Sequence, residues 1–185
     1  SFGYFFLPLI ISLPYYLSIY NISLLDCYFE AISGFTSTGF TVFDNIKHID
    51  QSLILWRSTS QWIGGLYFLF SILLLIDDSD QNLKQSLTNY LSLNSTEIFK
   101  QSFKIVVVYS VLTIVIFIVF KIINLRTFDS LNLSLTIISS GGFLPINSID
   151  NLFRSDLNKI ILCLMMLFSY FSLFLFFNIF FIKNK

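Results

Sequence analysis

The feature that most limits what this chain can fold into is a pattern written twice. Residues 26–40 and 129–143 align at a constant offset of 103, which sets Asp26 on Asp129, Ser33 on Thr136, Thr36 on Ser139, Ser37 on Ser140, Gly39 on Gly142 and Phe40 on Phe143. Each copy reads as a short apolar helix that ends in hydroxyl-bearing residues and then glycine. Only four of the fifteen aligned positions are identical, so the argument rests on the order of elements. Each copy lies between two long apolar stretches, and the same shift brings those stretches into register and sets Tyr67 and Phe68 on Tyr170 and Phe171. The pattern points to internal duplication.

The flanking stretches decide the fold class. No charged residue occurs in 1–25, 58–76, 105–120 or 160–182. The chain is 55% hydrophobic and only 12% charged, more apolar surface than a soluble core of 185 residues can hide. A hydrocarbon layer of roughly 30 Å needs about 20 mostly apolar residues per helix, with a lower limit near 17. The 105–120 run is shorter, but Lys104 and Lys121 stand at its ends and can snorkel. The expectation is an all-α integral membrane protein with four spans, at 2–20, 53–76, 105–123 and 159–182. Around the repeated segments these make two membrane–pore loop–membrane repeats, 1–78 and 104–185, each with a re-entrant half-helix and a filter strand. A polar linker, 79–103, joins them and is expected to carry an interfacial helix around 83–93. The chain starts at Ser1 rather than methionine, so it is expected to have lost an upstream portion.

Composition also excludes function classes. The net charge is zero, so nothing suggests a nucleic-acid partner. One histidine, His48, and two isolated cysteines, Cys27 and Cys163, offer no metal cluster and no nucleophile–base pair, so no enzyme and no cofactor is expected.

The repeated segment reads as a pore loop for a physical reason. Residues 130–149 carry no charge, yet Gly141, Gly142 and Pro145 interrupt them, while Glu30 and Asp44 confine the first copy to a short helix. Irregular backbone at membrane depth is tolerated only inside protein or along a watery cavity. A half-membrane helix with an extended return satisfies both copies. Asp26 and Asp129 stand where an N-cap is wanted. The opposite helix end carries about half a negative charge and attracts cations. Beyond it, Thr36, Ser37, Thr38 and Gly39, and Ser139, Ser140, Gly141 and Gly142, would supply carbonyls and hydroxyls in place of an ion's water shell. Positive φ at Gly39 and Gly142 would let successive carbonyls face one axis, with Phe40 and Phe143 buttressing the strand behind. The bland alternative is a pair of tight turns between helices packed through small residues. Glu30 sits among apolar residues, and three readings stay open: a pair with Arg57, a solvated place in an outer vestibule, or an ion site.

At these residues the chain resembles the membrane subunit of Trk/Ktr/HKT-type potassium uptake systems. The resemblance is carried by Phe29 through Gly39, by Leu55-Trp56-Arg57-Ser58 with Gln61-Trp62-Ile63-Gly64-Gly65, and by Phe128-Asp129 with Ser139-Ser140-Gly141-Gly142-Phe143. It implies a pore built from four repeats, of which the chain covers roughly the first two, with one filter glycine each and loops on the outer side. It also implies potassium as the transported ion, the plasma membrane (the inner membrane of a bacterium), dimeric membrane subunits and a cytoplasmic nucleotide-binding regulatory subunit. Two loops surround only half an ion, so the remaining repeats or a second copy of the chain would complete the ring within the lipid bilayer. Leu66-Tyr67-Phe68 stands where another small residue is common, and Gly141 replaces Thr38, which makes the ring asymmetric. A rival function is a non-conducting membrane scaffold, or a degenerate half-transporter that only assembles with partners.

Overall fold

Apolar stretches broken at Asn, Gly and Pro fold into helices, and no strand forms among the described residues, 2–77, 98–153 and 155–182 of a computed structural model. The helices are α1 (Gly3–Ser18), α2 (Leu24–Phe35), α3 (Gln51–Asp77), α4 (Ile98–Ile122), α5 (Thr127–Ile138), α6 (Ile149–Leu152) and α7 (Asp156–Ile182), with a 3-10 turn at Ile46–His48. Most of the expected linker and its interfacial helix lies outside the described residues, and α4 begins inside the stretch expected to be linker.

Backbone torsions recur 103 residues apart. Asn21 and Asn124 both have φ 63°, Ser37 and Ser140 both 55°, and Gly39 and Gly142 have 81° and 77°. The helices between these points, α2 and α5, each have 12 residues. Asparagine is among the side chains that tolerate the left-handed region, and it turns the chain into each short helix.

The starts of those helices correct one expectation. Ser23, not Asp26, is the N-cap of α2, and its hydroxyl accepts from the Asp26 amide at 3.0 Å and donates to the Asp26 carboxylate at 2.6 Å. Asp26 is the third residue of the helix, and its carboxylate holds the Ser23 hydroxyl in the capping position. Asp129 likewise stands inside the first turn of α5, where both carboxylate oxygens accept from Arg126, at 2.9 and 3.1 Å. Either carboxylate still lies in the positive field of a helix start, one turn further in than an N-cap.

Two apolar cores form. Ile11, Tyr15, Cys27, Ala31, Phe35 and Leu53 join α1, α2 and α3. The other joins α4, α5 and α7 through residues such as Ile105, Tyr109, Ile116, Leu133 and Leu162, and takes in Leu66 of α3. Helix α3 is therefore shared, packing on both α2 and α5. Its Trp56 indole donates to the Ile11 carbonyl of α1 and its Trp62 indole to Thr113 of α4, both at 3.0 Å.

Polarity is inverted relative to a water-soluble fold. Glu30, Arg57, Ser58, Ser60, Gln61 and Asn132 are buried, while Phe5, Ile10 and Leu17 on α1 and Val111, Ile114 and Ile118 on α4 face outward. That is the distribution of a chain dissolved in lipid, where a continuous apolar exterior costs nothing. One helix among the described residues, Ser102–Ile122, is long and apolar enough by itself to cross a membrane. Among the described residues no other stretch passes that test. Helix α1 has only 16 residues, and α3 carries its buried polar side chains in its first half. Of α7, side chains are described only as far as Phe171.

Candidate functional site

Both short helices stop in the same way. The Ser37 amide donates to the Gly34 carbonyl and the Thr38 amide to that of Ser33, both at 3.0 Å. In the second copy Ser140 donates to Ile137 at 3.0 Å and Gly141 to Thr136 at 2.8 Å. This is the Schellman pattern, which uses up the last helical carbonyls through one left-handed residue. Here that residue is serine, Ser37 or Ser140, where glycine is usual, so each turn holds about 1–2 kcal/mol of backbone strain. Gly39 and Gly142 add the second left-handed step expected of them. Among the described residues nothing donates a hydrogen bond to the carbonyls of Thr38 and Gly39.

The two loops touch. A Cβ on Gly39 would collide with the carbonyl of Gly141, whereas one on Gly142 would meet open space. The C-terminal ends of α2 and α5 converge on one cavity of about 640 Å³, bordered by Thr36, Ser37, Ser139 and Ser140. Two partial negative charges thus point at the same space. Gly64 and Gly65 of α3 make the approach possible. A Cβ on Gly64 would overlap the Phe35 carbonyl, and one on Gly65 would crowd Ser139 and Tyr109.

Behind the loops lies a dry polar layer. Glu30 and Arg57, 0% and 1% exposed, pair at 2.7 Å. Thr41 donates to both carboxylate oxygens of Glu30, at 3.0 and 3.1 Å, and the Val42 amide donates at 3.0 Å, so the segment after Gly39 is anchored to the carboxylate. Arg57 also donates to Thr41 at 3.1 Å and lies over the Phe143 ring, 4.2 Å from its centroid. One guanidinium therefore reaches the first loop by hydrogen bond and the second by cation–π contact. Of the three readings open for Glu30, the structure realises the ion pair.

Phe143 is buried, 2% exposed, whereas Phe40, its counterpart in the alignment, is 69% exposed. The aligned position in the second unit is covered by Arg57, and no element of the first unit covers Phe40 in the same way. Gly141 departs from expectation. Its carbonyl accepts a 2.6 Å hydrogen bond from the Gln61 amide and so is engaged by α3.

Several contacts around this layer were given no role in the sequence reading, although Ser58 and Gln61 were quoted there as part of a motif. They are the Gln61–Gly141 bond, the Ser58–Asn132 bond at 2.6 Å, and those of Asn147, which accepts from the Ile46 amide at 2.8 Å and donates to Asn45 at 2.9 Å. A signal for the first two existed. Arg57 and Gln61 are four residues apart, hence on one face, and with Ser58 and Ser60 they make α3 polar where a membrane helix must turn inward.

Comparison with known proteins agrees with this architecture. The family profile described as TrkH, cation transport protein, matches residues 7–184. An uncharacterized cation transporter of Methanocaldococcus jannaschii is 29% identical over 141 residues, 71% of this chain and 28% of its own length. The Trk system potassium uptake protein TrkG of Escherichia coli is 27% identical over 66% of this chain and 27% of its own length. The crystal structure of the potassium transporter TrkH from Vibrio parahaemolyticus matches with a TM-score of 0.65 at 24% identity, over 88% of this chain and 34% of that one, a likeness of fold. The chain thus spans little more than a quarter of the length of those two relatives. The profile match takes in nearly all of it, and the chain belongs to the TrkH family of cation transport proteins.

Proposed function

We propose that this chain lines part of a potassium pathway across the membrane, with 36–39 and 139–142 as two sides of a selectivity filter. The observation that carries the reading is the pair of adjacent, glycine-tipped turns with the same left-handed torsions, set over one cavity by two helix C-termini. An ion entering there meets carbonyls and small hydroxyls in a place where water is scarce, the arrangement that can replace a hydration shell. On this reading α2 and α5 are re-entrant half-helices, α1 with α3 and α4 with α7 are the membrane pairs, and 1–78 and 104–185 are the repeats. Potassium as the ion is taken from the relatives, among them a Trk system potassium uptake protein.

Two loops leave half of the ion's surroundings open. Next to the exposed Phe40 ring, an apolar groove lined by Leu25, Phe29 and Ile32 lies along the outer side of α2, a surface suited to contact with further protein. Further repeats, or a second copy of the chain, would complete the ring within the bilayer, and a cytoplasmic nucleotide-binding subunit would regulate it.

The test is rubidium uptake into vesicles carrying the intact protein, comparing wild type with Gly39→Ser and Gly142→Ser. Gly142→Ser has space for its side chain and takes on about 1–2 kcal/mol of strain at φ 77°, so it is expected to fold with reduced stability and to lose discrimination against sodium, while Gly39→Ser loses flux. Absence of rubidium flux from well-folded wild type would overturn the reading in favour of a non-conducting scaffold.

A further inference from the structure

Gln61 is fully buried, and its side-chain amide spans two peptide groups of the second loop. Its Nε2 donates to the Gly141 carbonyl at 2.6 Å, and its Oε1 accepts from the Phe143 amide at 3.3 Å. The two contacts bracket Gly142, the residue at φ 77°. A primary amide is the neutral side chain that donates at one end and accepts at the other, so it can complete two adjacent peptide groups together. Gln61 belongs to α3, in the first unit, whereas the loop belongs to the second.

The same contact accounts for the asymmetry between the two copies. A Cβ at position 141 would fall on the Gln61 carboxamide and displace it, so glycine there is what lets the carboxamide dock, although its partner in the first copy is Thr38. The residue 103 positions after Gln61 is Leu164, 53% exposed and without hydrogen-bonding groups in its side chain. The clamp therefore serves the second loop alone.

We infer that Gln61 is a positioning residue for ion selectivity. It draws the Gly141 carbonyl away from the ion path and holds the 142–143 peptide so that the Gly142 carbonyl is this loop's ligand. The inference rests on the ion-pathway reading above. A stiff backbone ligand discriminates between ions of different radius, whereas a loose one adapts to both.

The experiment uses the intact protein in vesicles, with rubidium and sodium uptake measured side by side, together with hydrogen exchange at the Phe143 amide. Gln61→Met keeps the length and removes both hydrogen bonds. It is expected to lower the rubidium-to-sodium preference about fivefold and to speed Phe143 exchange about tenfold. Gln61→Asn keeps the amide one methylene short and is expected to fall in the same direction, which secures the test if the methionine variant does not fold. A residue that served folding alone would lower the yield of protein and leave the ratio unchanged. Wild type that moves no rubidium overturns both this inference and the pathway reading. Wild type that moves rubidium, with the preference unaltered in the folded variants, overturns this inference alone.

Discussion

Replacing Arg57 by methionine separates the ion pair from the rest of the layer, and its size can be worked from the contacts. The substitution keeps an unbranched apolar stem but leaves the Glu30 carboxylate at 0% exposure with only Thr41 and the Val42 amide as donors. Stranding one member of a buried pair costs about 3–5 kcal/mol, most of it the desolvation of the orphaned charge. The lost stack on Phe143 adds up to about 2 kcal/mol because the site is dry. At about 2–4 °C per kcal/mol for a chain of this size, the melting point should fall by roughly 10 °C or more. The double variant Glu30→Gln, Arg57→Met removes both charges while the new carboxamide can still accept from Val42. It should return to within about 2 kcal/mol of wild type, since replacing a whole buried pair is close to neutral. Thermal unfolding in detergent, followed by the fluorescence of Trp56 and Trp62, reads both. If Arg57→Met alone is as stable as the double variant, the carboxylate is not being held by this cation and the reasoning is wrong.

Two further substitutions probe how the site is positioned. Gly64→Ala places a methyl group on the Phe35 carbonyl, a backbone atom that cannot swing aside, so α3 must lift off the end of α2 at about 1–3 kcal/mol; wild-type stability in chemical unfolding would contradict the close approach. Ser23→Ala removes the cap of α2 and should cost about 1 kcal/mol, while Asp26→Asn should cost less, because the carboxylate only holds the capping hydroxyl in place. An unfolding series in which Asp26→Asn is the more damaging of the two would restore Asp26 as the cap.

The membrane class, the recurrence of torsions 103 residues apart and the left-handed glycines were all readable from residue order. Each depends on a property that a short stretch carries by itself: an uncharged apolar run, a spacing of 103, a glycine after hydroxyls at a helix end. The capping residue was legible too, because serine three residues ahead of an acidic residue is a common helix start, and it was the acidic residue that drew attention. Ser37 and Ser140 were harder. Nothing about a serine demands positive φ, and it adopts that conformation here because the Schellman bonds of each helix end impose it.

Partner choice was decided by the tertiary structure alone. Glu30 had three possible fates in the sequence, and only the docking of α3 on α2 brought Arg57 to 2.7 Å. Gln61 reaches a loop 80 residues away; its spacing from Arg57 marks an inward face of α3 but does not say which loop that face will meet. Phe40 and Phe143 are identical residues at identical places in the repeat, yet one is 69% exposed and the other 2%. The difference comes from what lies next to each ring, a guanidinium from the other repeat in one case and an uncovered flank in the other. Secondary structure and lipid preference add up from neighbours along the chain, so sequence alone determines them. Burial and hydrogen-bond pairing depend on which distant surfaces meet, and that is settled only when the helices pack.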